Sequence, residues 1–522
     1  MKPEIVSEPG KLKKILKSNI GALIIINLLL AVVAFFKDIL LASYLGTSAQ
    51  ADALLLAFFV PDTIGNNLIA FALGVSCIPV FSILFVKGMN ERLNNCIRNV
   101  SAYILFFSAL LLVLLYIFKN EIITMLGSGF DPKTSKLCLS LYNIVLPTIL
   151  LFPVVAIGTS ILQVLNRFKI SAFAPVLYNI VFLGGVVLGY LLNVPIEKGV
   201  YLVAISIICG VFSMTILILV SLKRIQDVSL KTLLFFKNFP KKNELKDVRD
   251  IFKTMLPYIL ILLASQSVYF FERYLASNLE TGSIAGLNYA FRLAQFPGWV
   301  FVAAISVVIL PSMSKAKGIG QLEAMKATFV RSLKTVLLIT FPLAIILFTM
   351  RIPILSVLFK RGAFDSNSLE ITAGILAGYS LTIIGQSILA ISLRFFFVIG
   401  QMLSPLIVVI ISSTINIIAD FFFVKQFGSA GIGYGAALGA FLNVPLILFF
   451  LRRPLHLKIS KHLPEFLKIM ITNLPVLLIS LGCNRVWHFF KSGIFVQAGF
   501  VFLSVLTCCM FYWIGLKKYK LV

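Results

Sequence analysis

Charged side chains lie inside three of the long apolar runs of this chain, where their chemistry is most informative. A charge at the centre of a bilayer costs about 2.5–3.5 kcal/mol on insertion scales, so such residues usually face a bundle interior or a watery cavity. A basic side chain in that position can bind phosphate oxygens, and arginine does so with a planar fork of N–H donors. The candidate substrate-binding residues of this kind are Lys37, Asp38, Glu272, Arg273 and Arg292.

The sequences around these two groups of charges resemble each other, which indicates an internal repeat. The equivalent positions are Asp38 with Glu272, Ala42 and Ser43 with Ala276 and Ser277, Leu45 with Leu279, Thr47 with Thr281 and, after a two-residue insertion, Pro61 with Pro297. Two membrane halves that carry buried charge at the same place predict a transporter whose site lies between the halves.

Four further residues combine a polar side chain with a position in or beside an apolar run. Asp52 begins the second run, where an acid either caps a helix or contacts substrate. Arg394 either lines a cavity or reaches a membrane face with its long side chain. Asn416 and Asp420 are four residues apart and share a helix face, so they either bind a cation such as Na⁺ or hydrogen-bond to a neighbouring helix.

The charged pairs also have structural explanations that compete with substrate binding. Lys37 and Asp38 are adjacent and therefore about 100° apart on a helix, so they edge an open cavity or hold the first span to a neighbour. Glu272 can neutralise Arg273 within a structural network. Arg292 has the strongest claim to a phosphate because of its donor geometry.

The amino-acid composition distinguishes a membrane protein from a soluble one. The chain has 522 residues, of which 59% are hydrophobic and only 13% charged, and its mean hydropathy is +1.01. Soluble proteins are about 25% charged, so these values indicate a polytopic membrane protein. The net charge of +26 comes from Lys and Arg at the ends of apolar runs, which favours membrane topology and anionic lipid contact over nucleic-acid binding. The scattered Cys and His residues predict no redox or zinc site, and no cofactor is expected.

The apolar runs predict an all-α polytopic fold with fourteen transmembrane helices. Two pseudo-symmetric six-helix lobes, 19–222 and 251–452, follow a basic cytoplasmic N-tail (1–18) and flank a basic cytoplasmic linker (223–250), and two more helices with a basic C-tail occupy 453–522. Most Lys and Arg residues fall on one side when the N-terminus is cytoplasmic, so both termini are predicted to be cytoplasmic. The predicted spans are 19–44, 53–85, 98–118, 138–165, 171–193, 199–222, 251–279, 284–313, 329–350, 368–398, 402–424, 430–451, 465–484 and 493–516.

An ordered set of short motifs resembles the MurJ (MviN) family of lipid II flippases, within the multidrug/oligosaccharidyl-lipid/polysaccharide exporter superfamily. The resemblance implies a bacterial plasma-membrane flippase whose basic cavity residues meet a pyrophosphate. The matching pieces are Phe36-x-Asp38, Ala42, Gly46, Asp52-Ala53, Pro61, Pro79, Glu272-Arg273, Ala276-Ser277, Gly282-Ser283, Tyr289-Ala290-x-Arg292-Leu293, Pro297, Leu310-Pro311, Ser314, Arg361-Gly362-Ala363-Phe364, Gly431-Ile432-Gly433 and Ala436.

Some basic positions of that family are occupied by other residues in this chain. Leu30 and Ala31 stand where the family usually has Ser-Arg, Gly65 and Asn66 replace a basic pair, and Ala70-Phe71 replaces an acidic-Gly pair. Lys37, Arg273 and Arg292 are the basic matches that remain. A flippase for another polyprenyl-linked oligosaccharide is therefore the alternative within the class.

The resulting hypothesis is a monomeric flippase that moves an undecaprenyl-pyrophosphate-linked glycan to the outer leaflet by alternating access, with Na⁺ or the membrane potential as driver. A potential of 100 mV contributes about 2.3 kcal/mol per charge. The chain has no GxxxxGK[ST] motif for ATP hydrolysis. A cation-coupled drug exporter, a membrane-embedded glycosyltransferase and a non-catalytic scaffold remain as alternatives. The loop Arg361-Gly362-Ala363-Phe364-Asp365 fits an exterior turn with a topological role.

Overall fold

A computed structural model describes residues 9–223, 245–298, 301, 305, 313, 317, 321–401, 403–455, 459–490, 493–519 and 521. All regular secondary structure within these residues is helical. The predicted linker 223–250 lies mostly outside the described residues, as do parts of the predicted N-tail 1–18 and of the predicted span 284–313.

The first half of the chain forms nine α-helices in the described residues, most of them long and apolar. Only α5, of eight residues, is short. They are α1 (Pro9–Leu45), α2 (Ala49–Pro61), α3 (Phe71–Val86), α4 (Asn90–Ile117), α5 (Lys119–Leu126), α6 (Pro132–Val145), α7 (Thr148–Val164), α8 (Phe168–Leu191) and α9 (Ile196–Lys223).

The second half forms ten α-helices in its described part. A single 3₁₀ turn, Trp487–Phe489, separates the last two. They are α10 (Leu245–Ser277), α11 (Ser283–Pro297), α12 (Leu322–Thr349), α13 (Arg351–Leu358), α14 (Ser366–Ile399), α15 (Leu403–Phe427), α16 (Ala430–Leu455), α17 (Ile459–Thr472), α18 (Leu474–Val486) and α19 (Ile494–Lys518).

Thirteen helical segments in the described part of the chain are long and apolar enough to cross a membrane. Fourteen spans are predicted from the sequence, and the one without a counterpart among the thirteen is 284–313, which extends beyond the described residues. The prediction of an all-helical polytopic membrane protein is confirmed.

The second predicted span is interrupted where its sequence is polar. A nine-residue π-helical segment, Asp62–Ala70, joins α2 to α3 and follows Pro61 directly. A proline cannot donate its own backbone hydrogen bond, and π-helical turns are common where a helix is interrupted for function. The Asp62 carboxylate accepts hydrogen bonds from Asn66 (3.1 Å) and Asn67 (3.4 Å), which satisfies these polar side chains locally.

The Cα positions divide into two compact units that do not follow the sequence halves strictly. The first unit contains Met1–Leu41, Leu56–Thr124 and Ser135–Leu262, and the second contains Ala42–Leu55, Met125–Thr134 and Leu263–Val522. Two short segments from the first half of the sequence therefore belong to the second unit. The predicted lobe boundaries, 19–222 and 251–452, stay a prediction.

The first unit has an apolar core formed by α3, α4, α7, α9 and the beginning of α10. Val248, Ile251 and Met255 of α10 are buried there with α4 residues such as Ile97. The contact ends in a bidentate ion pair, in which Arg92 Nε and Nη2 lie 2.6 and 2.9 Å from the Asp247 carboxylate. The first half of α10 is thus a structural part of the first unit.

The second unit is built around α14, which packs against α11, α12 and α16. Gly378 of α14 and Gly433 of α16 face each other so closely that a Cβ on Gly378 would overlap the Gly433 backbone. Small residues allow such close approach of helices in membranes, where packing rather than water exclusion drives association.

Candidate functional site

Lys37 and Asp38 are buried together in the first unit, at 5% and 4% exposure. The Lys37 Nζ lies 3.0 Å from Asp38 Oδ1 and 4.5 Å from the ring centroid of Phe182 on α8. The ion pair lies within α1, and the cation–π contact joins α1 to α8, as expected for the structural explanation of this pair. Neither contact tests a role in substrate binding, which stays a prediction.

Glu272 and Arg273 form the corresponding buried pair in the second unit. Arg273 Nη1 lies 3.7 Å from Glu272 Oε2, and the Tyr379 hydroxyl of α14 donates a 2.8 Å hydrogen bond to the same oxygen. The other carboxylate oxygen, Oε1, is buried without a hydrogen-bond partner in the described part of the chain. A buried carboxylate oxygen without a donor is costly, so it marks a place where a cation or proton is favourable.

Aromatic residues of three helices pack together near this buried pair. Phe291 of α11 packs edge-on against Tyr269 of α10 and Tyr379 of α14, with centroid distances of 5.4 and 5.8 Å. Charges in such an apolar setting interact more strongly than in water because the local dielectric is low.

Arg292 and Arg394 are more accessible than Arg273, and both are half-buried. Arg292 lies on α11 three residues before Gln295, so the two side chains share a helix face. The amide of Gln295 donates a 2.6 Å hydrogen bond to Gln386 of α14. The α11–α14 contact therefore places polar groups beside the helix face that carries Arg292.

Asn416 and Asp420 both contact α16, which confirms the prediction that they share a face of α15. A Cβ on Gly435 would overlap the Asp420 carboxylate, and one on Gly439 would lie 2.8 Å from the Asn416 Cβ. Asp420 is fully buried, and both of its carboxylate oxygens and the amide oxygen of Asn416 have no hydrogen-bond partner among the described residues. The Asp420 carboxyl also interacts electrostatically with Glu272.

These oxygens are the candidate ligands for the monovalent cation that the sequence predicts, and that cation site stays a prediction. Glu272, Asn416 and Asp420 offer hard oxygen donors of the kind that alkali and alkaline-earth cations prefer. With both acids ionised and Arg273 positive, the group carries a formal charge of about −1, which one monovalent cation would neutralise. No cluster of three or more His, Cys, Asp or Glu side chains forms in the described part of the chain, so a transition-metal site is not indicated there.

Asp52 caps a helix, but not α2, the helix in whose first turn it lies. Its two carboxylate oxygens accept hydrogen bonds from the backbone N–H groups of Gly282 (2.6 Å) and Ala285 (2.7 Å), at the start of α11. The start of α2 uses Ser48, whose hydroxyl accepts from the N–H of Ala51. The expected cap is present with a different partner, because the aspartate reaches across to the positive end of a second helix dipole.

Three of the residues in this network are absent from the sequence-based candidates. Tyr379, Gln295 and Gln386 donate or accept the hydrogen bonds that organise the polar groups of the second unit. A polar residue in an apolar run is the signal that identifies Gln295 and Gln386, and three-residue spacing links Gln295 to Arg292. Tyrosine is common in membrane helices, so the sequence carries no comparable signal for Tyr379.

The second unit also contains an apolar cavity of about 480 Å³ between α11, α12, α13, α18 and α19. Its lining includes Phe296, Leu338, Pro342, Val476 and Val505. A space of this kind suits a hydrocarbon chain better than a polar head group.

Comparison with known proteins places the chain among transporters. The family profile described as Lipid II flippase MurJ matches residues 41–507. Among similar proteins are the lipid II flippase MurJ of Burkholderia cenocepacia, 25% identical over 430 residues (82% of each chain), and that of Thermosipho africanus, 26% identical over 478 residues (91% of this chain and 93% of the relative).

Solved structures show the same fold. A lipid II flippase MurJ in an inward closed conformation has a TM-score of 0.76 and 23% identity, covering 95% of this chain and 99% of that one. An inward-facing multidrug-resistance transporter of the MATE family, in the MOP superfamily, has a TM-score of 0.68 and 16% identity, covering 83% and 98%.

Proposed function

The chain belongs to the lipid II flippase MurJ family, and on that premise we propose that it translocates the undecaprenyl-pyrophosphate-linked peptidoglycan precursor lipid II from the inner to the outer leaflet by alternating access. The protein is a multi-pass transporter of the bacterial plasma membrane rather than an enzyme. The observation that carries the proposal is the extent of the family match, residues 41–507, which includes the Glu272–Arg273 pair, Arg292 and most of the transmembrane helices.

Arg292 is the residue we propose for direct contact with the diphosphate. It is half-buried, whereas Lys37 and Arg273 are only 5% and 7% exposed and each lies beside a carboxylate. An arginine fork binds phosphate oxygens with two parallel, charge-assisted hydrogen bonds. Lys37 and Arg273 stay proposed substrate contacts, and each would have to exchange its carboxylate partner for the substrate.

We propose contacts in the second unit for the sugars and the polyprenyl tail of the substrate as well. Gln295 and Gln386 offer amide donors and acceptors for sugar hydroxyls, and Arg394 adds a half-buried charge on α14. The apolar cavity between α11 and α19 suits part of the polyprenyl tail. We propose these as glycan and tail contacts.

The cation group of Glu272, Asn416 and Asp420 is the proposed coupling site. Na⁺ bound there would, together with Arg273, neutralise the two acids and let the surrounding helices pack without a buried net charge. The membrane potential is the second proposed driver, because expelling an anion from a negative interior is favourable by about 2.3 kcal/mol per charge per 100 mV.

The proposed orientation places both termini in the cytoplasm. The support is the excess of Lys and Arg on the N-terminal side of the membrane, which is the positive-inside pattern. We propose that the protein acts as a monomer.

Complementation tests the transport function. We expect this chain to restore growth to a bacterium depleted of its own lipid II flippase, and Arg292→Ala to lose that rescue because a diphosphate contact disappears. Arg331→Ala is the matched control, since Arg331 is exposed on α12 and outside the polar network. Membrane levels of all variants are compared by quantitative blotting.

Two outcomes would redirect the proposal. A well-inserted wild-type chain that fails to rescue, but flips another polyprenyl-diphosphate glycan in proteoliposomes, would identify that glycan as the substrate. The replacement of family arginines at Ala31, Gly65 and Asn66 makes this the natural alternative. Equal rescue by Arg292→Ala and the control would exclude Arg292 from the substrate site.

Thermal unfolding tests the cation site without transport. We expect NaCl to raise the melting temperature of the purified protein relative to choline chloride, because a ligand at 100 times its Kd stabilises by about 2.7 kcal/mol. Asp420→Asn should abolish that difference, while the control Asp247→Asn, in the first unit, should keep it. Stabilisation by acid in place of Na⁺ would assign the site to protons.

A further inference from the structure

A groove lies between the last two turns of α10 and the C-terminal part of α15, within the second unit. Its volume is about 330 Å³, and we call it the α10–α15 groove. It shares no lining residue with the apolar cavity between α11 and α19. The residues that line it are Phe271 of α10 and Ile417, Ile418, Phe421, Phe422 and Lys425 of α15.

The walls of the α10–α15 groove are apolar and belong to helices that are long enough to cross the membrane. Phe271, Ile418, Phe421 and Phe422 all expose much of their side chains, and Phe422 is 66% exposed. On such a helix, an exposed apolar side chain faces hydrocarbon rather than water. A gap left in that surface would forfeit dispersion contacts, so a hydrocarbon chain that fills the groove is favoured.

One end of the groove is basic. Lys425 is exposed and lies in the last turn of α15, and its Nζ is 6.0 Å from the centroid of the Phe421 ring. The ammonium group therefore lies above the apolar wall, while its position at the helix end keeps it near the membrane surface. Lys425 forms no ion pair with any other residue that the structure describes. An ammonium group at this level attracts an anionic lipid head group.

A tyrosine marks the same level on the other wall. The Tyr274 ring packs edge-on against Phe271, with 6.1 Å between the centroids, and lies one turn closer to the end of α10. Tyrosine is enriched at the membrane–water interface, where its ring contacts hydrocarbon and its hydroxyl contacts the head groups. Tyr274 and Lys425 thus place the head-group level at the ends of α10 and α15, with the apolar walls of the groove deeper in the membrane.

We propose that the α10–α15 groove binds an anionic phospholipid of the bilayer, with an acyl chain against Phe271, Ile418 and Phe422 and the phosphate at Lys425. The polyprenyl tail of the substrate is the other hydrocarbon chain in reach of the protein. Its diphosphate is proposed to bind Arg292 on α11, beside the separate apolar cavity that suits the tail. The basic end of the α10–α15 groove therefore assigns this groove to a phospholipid.

The lipid would bridge the two helices that carry the buried acids of the second unit. Phe271 precedes Glu272 and Phe421 follows Asp420, and both acids are buried. Adjacent residues on a helix point about 100° apart, so the acids face into the unit while the phenylalanines face the groove. A lipid in the groove would stabilise the arrangement of α10 and α15 without contacting either acid.

Photolabelling in nanodiscs tests the head-group preference. The full chain is placed in a phosphatidylcholine bilayer that contains a small fraction of either phosphatidylglycerol or phosphatidylcholine with a photoreactive acyl chain. We expect the peptide that contains Phe421 and Phe422 to be labelled about fivefold more by the anionic lipid, the factor for one basic residue near a membrane surface. Peptide mass spectrometry measures the labelling.

Lysine variants test the role of the charge. Lys425→Gln should reduce labelling by phosphatidylglycerol to the level of phosphatidylcholine, and Lys425→Arg should keep the preference. Lys198→Gln is the matched control, because Lys198 is exposed in the first turn of α9 and lies outside the groove. It should leave the preference unchanged.

Two tryptophan variants of α15 test the position of the acyl chain. Ile418→Trp places a large ring in the groove and should reduce labelling by phosphatidylglycerol to the phosphatidylcholine level of the wild type. Ile410→Trp is the matched control, since Ile410 is exposed on the same helix but does not line the groove. It should be labelled like the wild type.

The outcomes are independent of transport, because no step measures flipping. Equal labelling of the wild type by the two lipids would overturn the proposal, as would an undiminished preference in Lys425→Gln. Unlabelled phosphatidylglycerol should displace the photoreactive lipid. Displacement by undecaprenyl diphosphate but not by phosphatidylglycerol would overturn the proposal and assign the groove to the substrate tail. If Ile418→Trp does not accumulate in the membrane, the lysine variants decide the result.

Discussion

The carboxylate of Asp52 bridges the backbone N–H groups of Gly282 and Ala285, one with each oxygen. Asn cannot reproduce this arrangement, because it has one acceptor oxygen and presents an NH₂ group to the second N–H donor. We expect Asp52→Asn to lower the free energy of unfolding by about 1.5–3 kcal/mol, the range for a hydrogen bond to a charged group. Thermal unfolding of the purified protein measures the loss.

Asp131 provides the control for this prediction. A single oxygen of Asp131 accepts from the N–H groups of both Lys133 and Thr134 in an exposed turn, so Asn can replace it. Asp131→Asn should therefore leave the melting temperature nearly unchanged. If Asp52→Asn and Asp131→Asn lowered the free energy of unfolding equally, the buried bridge of Asp52 would be no stronger than an exposed cap.

Tyr379→Phe removes the hydroxyl that donates to Glu272 and keeps the ring that packs against Phe291. A buried carboxylate then loses a donor, which costs about 1–3 kcal/mol. We expect Tyr379→Phe to lower the melting temperature and to reduce the contribution of Glu272 to the stability of the fold. Glu272→Gln should therefore lower the melting temperature less in the Tyr379→Phe background than in the wild type. Tyr116→Phe, at an exposed position on α4, should change nothing. Additive effects of Tyr379→Phe and Glu272→Gln would contradict the contact.

Arg92 and Asp247 hold the first turns of α10 to α4. The arginine side chain is 49% exposed, so solvent screens the pair and we expect a coupling energy of about 1 kcal/mol or less. A double-mutant cycle with Arg92→Ala and Asp247→Ala measures it. Arg92→Lys should lose most of the coupling, because an ammonium cannot form the two-bond fork. Full retention in the lysine variant would show that charge alone matters.

The helix cap that Asp365 forms at the start of α14 depends on pH. The backbone N–H of Ser368, with help from its hydroxyl, lowers the pKa of the Asp365 carboxyl below its ordinary value of 3.8. A depressed pKa means that the cap stabilises the fold above about pH 5 and that this stabilisation is lost as the pH falls through the folded-state pKa. We expect the difference in melting temperature between wild type and Asp365→Ala to shrink between pH 6 and pH 3. A difference that grows on acidification would reverse the assignment.

The sequence predicts the helical framework and the local pairs well, because these depend on spacing. Apolar runs of membrane length identify the spans, and four-residue spacing places Asn416 and Asp420 on one face of α15. The adjacent charges Glu272 and Arg273 form the expected pair.

Partners that are distant in the sequence could not be predicted in the same way. The contact of Thr47 with Ser368 and that of Asp52 with Gly282 depend on how the helices pack, which helical periodicity does not encode. A single chain also gives no signal that a loop motif such as Arg361-Gly362-Ala363-Phe364 contacts the end of the first helix.

The hydrogen bond between Tyr379 and Glu272 has a consequence for the insertion of the protein into the membrane during translation. The span 246–277 that carries Glu272 has a mean hydropathy of 1.5, the lowest among the thirteen candidate spans of the described chain. Its stabilising tyrosine is 107 residues downstream. At about 5–20 residues per second, the ribosome needs about 5–20 s to reach it. During that interval α10 must remain in the membrane while the Glu272 carboxylate has Arg273 beside it but not yet Tyr379. The second unit can therefore reach its final structure only after α14 has been translated.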